Sequence, residues 1–229
     1  VIPLRDDIRT RRAPVVTWTL IAVNLFVFFY ELSLSPQELE QLFLLHGVVP
    51  ARISHPDWAA EMGFPPGGLL TFVSSTFLHG GWLHILSNMW VLWIFGDNVE
   101  DEMGRLRFLV FYLLCGVVAG GVHWFANADS MAPTVGASGA IAGVLGAYFL
   151  LHPRARVLAV FPILFIPIFF WLPAILYLLV WFASQLLESS ASGLGAPEVG
   201  GVAVWAHIGG FVCGALLHRL FLDRGPPDR

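Results

Sequence analysis

The stretch "PTVGASGAIAGVLGAYFLL", Pro133 to Leu151, decides the fold. It begins with turn formers and continues as an apolar run longer than most core segments. One hydroxyl, Ser138, stands where the apolar run starts, with Gly136 two residues before it and Gly139 directly after. Its neighbours carry almost no bulk. A bare hydroxyl in that place has two uses. It lets helices pack closely, or it is a nucleophile that needs room around it.

Outward from this segment, the chain remains apolar. Of its 229 residues, 57% are hydrophobic and 12% are charged, against about 25% charged in an ordinary soluble domain. A soluble fold of this composition has too little polar surface to offer water. The composition therefore reads as an integral, multi-pass membrane protein. Crossing a bilayer takes about 20 apolar residues, and six segments approach that length, at about residues 15–34, 81–95, 106–125, 134–151, 168–187 and 202–221. The fifth is placed late because Pro162, Pro167 and Pro173 disturb the residues before it. The expectation is an all-α, six-span helical bundle forming a single domain over residues 1–229. The charged start "RDDIRTRR" precedes a full-length span and does not read as a cleavable signal.

Charge placement tests the six-span count. All twelve basic residues are arginines. With six spans, eleven of them fall on one side and only Arg52 on the other. The positive-inside rule makes the arginine-rich side cytoplasmic, with both termini there. This bias, with the short tails, points to a prokaryotic inner (plasma) membrane. The long outer segment between spans one and two, residues 35–80, is too long for a plain connector and is expected to hold short interfacial helices. The second outer segment, "ESSASGLGAPEVGG", residues 188–201, has the composition of a mobile loop.

Other classes find no support. Nothing suggests nucleic acid, and no spacing suggests a metal or another cofactor. Cys115 and Cys213 lie in apolar segments and read as small buried hydrophobes.

Polar residues within spans are costly and mark function by default. The second span holds His84 and Asn88, four apart and so on one helix face. The fourth holds Ser138 and the sixth His207. In a six-span topology these three segments run from outside to inside. At 1.5 Å per residue, Ser138, His84 and His207 each lie roughly 5–10 Å below the outer helix end. Small-xxx-small pairs follow both Ser138 (Gly139 and Gly143) and His207 (Gly210 and Gly214). Such pairs let backbones approach closely. Each residue also has a structural reading, as a packing serine or as interhelical hydrogen-bonding groups. Those readings need a coincidence of depth in three segments.

The chemistry these residues suggest is acyl transfer. Ser138 is the nucleophile and His207 the base. No acidic side chain lies at matching depth, so a dyad is expected. The backbone N–H of Ser138 and the side chains of His84 and Asn88 are the oxyanion donors.

At these residues the chain resembles the rhomboid family of intramembrane serine proteases. The resemblance runs from "TFVSSTFLHGGWLHILSNMW" to "AHIGGFVCG". The "GASG" serine, the "AH" histidine followed three residues later by Gly210, and the His84–Asn88 pair occur in order. The resemblance implies cleavage of single-span membrane proteins near or within their spans, with Ser138 and His207 as the dyad. It implies oxyanion roles for His84 and Asn88, a loop role for Gly136, and structural roles for His79 and Glu100. Two features depart from the family pattern. Ala142 stands where an aromatic residue often stacks on the histidine, which leaves the source of that support open. The frequent Trp-Arg pair of the first outer loop is absent. A catalytically silent rhomboid-like client binder is the leading alternative. A transporter lacks the expected midplane charges, and a zinc protease lacks its HExxH.

Overall fold

The structure, a computed structural model, describes residues 2–163, 166–192 and 204–223. In chain order its elements are β1 (Ile2–Asp6), α1 (Val15–Glu31), α2 (Pro36–His46), α3 (Pro50–Ser54), α4 (Pro56–Glu61), α5 (Thr71–Ser74), α6 (Trp82–Met103), α7 (Arg105–Ala126), α8 (Ser138–Leu151), β2 (Arg156–Ile163), β3 (Ile166–Pro173), α9 (Ala174–Ser192) and α10 (Val204–Phe221). The molecule is mostly helical. Among the described residues, α7 and α10 are long and apolar enough to cross a membrane, while α1, α8 and the start of α9 are apolar but shorter.

The all-α expectation is corrected by a three-stranded antiparallel sheet, ordered β1-β2-β3. Residues 168–173, expected to open the fifth span, instead pair with β2. Prolines explain the change. Pro162 and Pro167 face each other in register across the hairpin, and a proline in a helix interior breaks its hydrogen-bond ladder. The helix begins only at Ala174, directly after Pro173. The expected loop at 188–201 is corrected in its first part, since α9 runs to Ser192. Residues 193–203 lie outside the described residues, as do Arg224 and Arg229.

The second and fourth segments also shift. The helix expected over 81–95 continues two turns further, to Met103. Its polar end does not unwind because its carboxylates are used. Buried Glu100 accepts the N–H groups of Val16 and Thr17 at 2.9 and 2.7 Å and the Thr17 hydroxyl at 2.8 Å. It thereby caps α1, whose own N-cap residue, Pro14, makes no side-chain cap. Asp101 accepts the Arg11 and Arg12 N–H groups at 3.1 and 3.0 Å. The fourth helix starts at Ser138, four residues later than expected, because Thr134 is paired with Val48 instead.

The arginine-bearing ends meet. Arg12 bonds Asp223 at 3.0 Å, and Arg11 reaches Glu102 at 3.3 Å. The N-terminal arm, the α6–α7 turn and the end of α10 thus share one end of the bundle. Gly104, with φ +76°, makes that turn in a single residue. At the other end residues 35–80 do form short helices, α2 to α5. Proline opens α2, α3 and α4, where its missing N–H costs nothing. Arg52, the arginine expected apart from the other eleven, is buried. It donates to the Leu45 and Pro65 carbonyls and lies 5.3 Å from the Phe64 ring.

The helix core is built from Ile85, Leu92, Phe95, Phe108, Phe111 and Val144 with their neighbours. Within it, α8 and α10 are in backbone contact. A methyl group placed on Gly210 would overlap the Gly139 carbonyl, and one on Gly214 would overlap the Gly143 carbonyl. A methyl on Gly146 would likewise overlap the Phe211 carbonyl. The small residues expected to bring the fourth and sixth segments together do so.

Candidate active site

Ser138 is the first residue of α8 and is half-buried. Its backbone N–H is one of the first-turn donors that the helix itself leaves unpaired. The loop before it is pinned. Val48 and Thr134 exchange both backbone hydrogen bonds, at 2.9 and 2.8 Å, and the Gly136 N–H donates to the Ser75 carbonyl at 2.9 Å.

Gly136 has φ +136°, a conformation that side chains rarely adopt. Its bareness also has a packing cause. A methyl there would stand 2.7 Å from His84 Nε2 and 3.6 Å from Ser138 Oγ. The His84 ring therefore lies across the glycine, beside the serine. His84 Nδ1 accepts the Gly80 N–H at 3.4 Å. An imidazole that accepts at Nδ1 carries its neutral-form proton at Nε2, so the N–H faces Gly136 and Ser138. His79 packs edge-on to His84 with ring centroids 5.1 Å apart. Burial, and then His84, push the His79 imidazole down to about 3, so this neighbour is neutral at ordinary pH. The His79 backbone N–H is held by the Glu31 carboxylate at 3.1 Å. Asn88 lies one turn further along α6, buried, with Nδ2 making no hydrogen bond among the described residues.

His207 lies on α10 and is 6% exposed. Neither ring nitrogen has a hydrogen-bond partner among the described residues. Its neighbour Ala206 meets Gly139, where an added methyl would be 3.7 Å from the Ala206 carbonyl oxygen. Ser138 and His207 are thus next to residues in contact across the α8–α10 seam, without a hydrogen bond between them. Gly139 and Gly210 make that seam possible.

One residue of the site escaped the sequence reading. Trp181, on α9, sets its ring 5.7 Å from that of His207, tilted by 42°. It gives the histidine a ring contact that Ala142 cannot supply. Nothing local marks it among nine tryptophans. Among the described residues, no group of three His, Cys, Asp or Glu side chains is placed to hold a metal ion.

Residues 66–224 match the Rhomboid domain. The chain belongs to the rhomboid family. The match covers every site residue named above except Glu31 and Val48.

Similar proteins include rhomboid-like protein 11, chloroplastic, of Arabidopsis thaliana, 32% identical over 134 residues. That stretch is 58% of this chain and 41% of the relative. The presenilin-associated rhomboid-like protein, mitochondrial, of Mus musculus is 35% identical over 97 residues, 42% of this rhomboid and 25% of the relative. Rhomboid protein 1, mitochondrial, of Saccharomyces cerevisiae is 34% identical over 100 residues, 41% of this chain and 29% of its own. The matched stretch is less than half the length of each of these relatives. Their names give the family and the organelle, not an activity.

These relatives correct the expected location. They are chloroplastic and mitochondrial, so the reading of a prokaryotic inner membrane with cytoplasmic termini does not stand. The physical reason is simple. Arginine bias reports which side of a bilayer a loop occupies, not which membrane it is.

Proposed function

We propose that this rhomboid is an intramembrane serine endopeptidase. It cleaves single-span membrane proteins near or within their spans, using Ser138 as nucleophile and His207 as base. The observation that carries the reading is the backbone contact of α8 with α10. It packs the helix that begins at Ser138 against the helix that carries buried His207, whose ring nitrogens have no hydrogen-bond partner among the described residues.

The chemistry runs in two steps. His207 takes the Ser138 hydroxyl proton as Oγ attacks the scissile carbonyl. Charge develops on the carbonyl oxygen, where the Ser138 N–H, the His84 Nε2–H and the Asn88 amide are the donors. The dipole of α8 adds to them. Collapse expels the amine, which takes the proton from His207. Water, activated by the same histidine, then attacks the acyl-enzyme and frees Ser138.

The membrane frame belongs to this proposal. Residues 1–229 form one domain with six crossings of the lipid bilayer, by α1, α6, α7, α8, α9 and α10. The Arg12–Asp223 pair supports an even number of crossings by holding the start of α1 and the end of α10 at one end of the bundle. Several crossings are short as helices, and a bilayer adapts to short spans by thinning.

The test is cleavage of a model single-span substrate by purified protein in detergent, with wild type and Ser138→Ala side by side. Cleavage by wild type alone is expected, with His207→Ala equally inactive and both variants folded. Full activity in either variant would sink the dyad. Where neither cleaves, fluorophosphonate labelling of Ser138 decides between an unsuitable substrate and a silent client-binding rhomboid.

A further inference from the structure

The loop that delivers Ser138 is anchored by a histidine outside the proposed dyad. His123 lies in the last turn of α7. Its Nε2 is 2.9 Å from Thr134 Oγ1. The Asn127 amide nitrogen is 3.5 Å from its Nδ1 and 3.0 Å from its carbonyl oxygen. An amide nitrogen only donates. His123 Nδ1 therefore accepts, and the neutral ring donates from Nε2 to the Thr134 hydroxyl.

Thr134 is four residues before Ser138 and two before Gly136. The segment Thr134–Gly136 is tied at three points, to Val48, to Ser75 and to His123. The first two ties join backbone groups, which nearly any residue supplies. The third joins side chains and is specific to this sequence. It also closes the connection between α7 and α8 on itself, because His123 sits where that connection begins. A loop fixed only at Val48 and Ser75 keeps freedom to tilt between them. Tilt would carry Gly136 off the His84 ring and turn the Ser138 N–H away from the oxyanion. Fixing reacting groups in place is worth orders of magnitude in rate.

We propose that His123 is a positioning residue for the active-site loop, acting through Thr134 on Gly136 and Ser138. The inference rests on the reading of Ser138 as nucleophile. It does not touch substrate in this role, so its loss should change turnover more than substrate binding.

The experiment uses the full chain in detergent, with His123→Leu, His123→Gln, Thr134→Val and the His123→Leu/Thr134→Val double variant. Three quantities are read: kcat and KM on a model single-span substrate, the thermal midpoint, and amide exchange over residues 133–137. His123→Leu and Thr134→Val are each expected to lower kcat about tenfold with KM little changed, and the double variant to be no worse than either. Thermal midpoints should stay near wild type, while exchange over 133–137 rises in His123→Leu. His123→Gln keeps a donor for Thr134 and should restore most of both. The proposal is overturned by wild-type kcat in His123→Leu or Thr134→Val, by additive losses in the double variant, or by losses that track the thermal midpoint. Unchanged exchange in His123→Leu overturns it as well. That last readout needs no catalysis. A wild type that neither cleaves nor labels would refute the protease reading, while exchange would still decide the loop.

Discussion

Trp181 of α9 holds its ring 5.7 Å from His207 of α10, tilted by 42°. The base of the proposed dyad is therefore braced from a neighbouring helix, not from the helix that carries the serine. Ring contacts of this kind are worth about 0.5–1.5 kcal/mol. Trp181→Ala is expected to lower kcat up to about tenfold, because that energy is what orients the imidazole. Trp181→Phe should keep most of the rate. Equal kcat in wild type and Trp181→Ala would show that His207 is oriented by something else.

The α8–α10 seam makes a sharper forecast, with an internal control. Gly210 has no room for a side chain, since even a methyl group would overlap the Gly139 carbonyl. Gly210→Val must push the two helices apart, so loss of the folded protein is expected in a thermal melt or by size exclusion. Gly121 of α7 has open space where a methyl would stand. Gly121→Ala should be neutral or stabilising by up to about 1 kcal/mol, the ordinary helix preference for alanine. Equal behaviour of the two variants would refute the packing account.

How legible was this in the sequence? The helices carrying Ser138, His84 and His207 were legible because long apolar runs, glycine spacing and polar depth are local signals. The sheet was not. The run "VLAVFPILFIPIFFWLP" is as apolar as a span, and only its prolines argue otherwise. Its other partner, β1, lies some 150 residues away and offers no local cue. The contacts of Trp181 with His207 and of His123 with Thr134 were hidden for the same reason. Each depends on how helices and loops are brought together, which residue type and spacing do not encode. Glu100 was read as structural through the family resemblance, and its role as the cap of α1 supplies the physical cause.

That cap can be weighed. The Glu100 carboxylate receives three hydrogen bonds at the start of α1, two from backbone N–H groups and one from the Thr17 hydroxyl. Its negative charge also suits the helix N-terminus. Glu100→Ala leaves those buried donors unpaired, at a cost of about 2–4 kcal/mol. Glu100→Gln keeps an acceptor and should lose roughly half as much. A thermal melt of the two variants measures both. An unchanged midpoint in Glu100→Ala would mean that water replaces the carboxylate.

The N-terminal strand should be pH-sensitive at the arginine-rich end. Asp6 of β1 accepts the Tyr148 hydroxyl and the Asn98 amide, each at 2.7 Å. Burial raises its carboxyl from 3.8 to about 6, against the lowering effect of the Tyr148 hydrogen bond, and neighbouring Asp7 adds to the rise. A raised folded-state pKa means that the folded chain holds this proton more tightly than the unfolded chain. The resulting stabilisation is complete below about pH 4 and is lost as pH rises through about 6. Docking of β1 should therefore loosen between pH 5 and 7.5, seen as faster amide exchange at residues 2–6 after correction for the intrinsic pH dependence of exchange. Asp6→Asn can still accept from Tyr148 and Asn98 but carries no charge, so its corrected exchange should vary less over the same range. A wild-type profile as flat as that of Asp6→Asn would show that the carboxylate is ionised throughout, held by the two hydrogen bonds despite its burial.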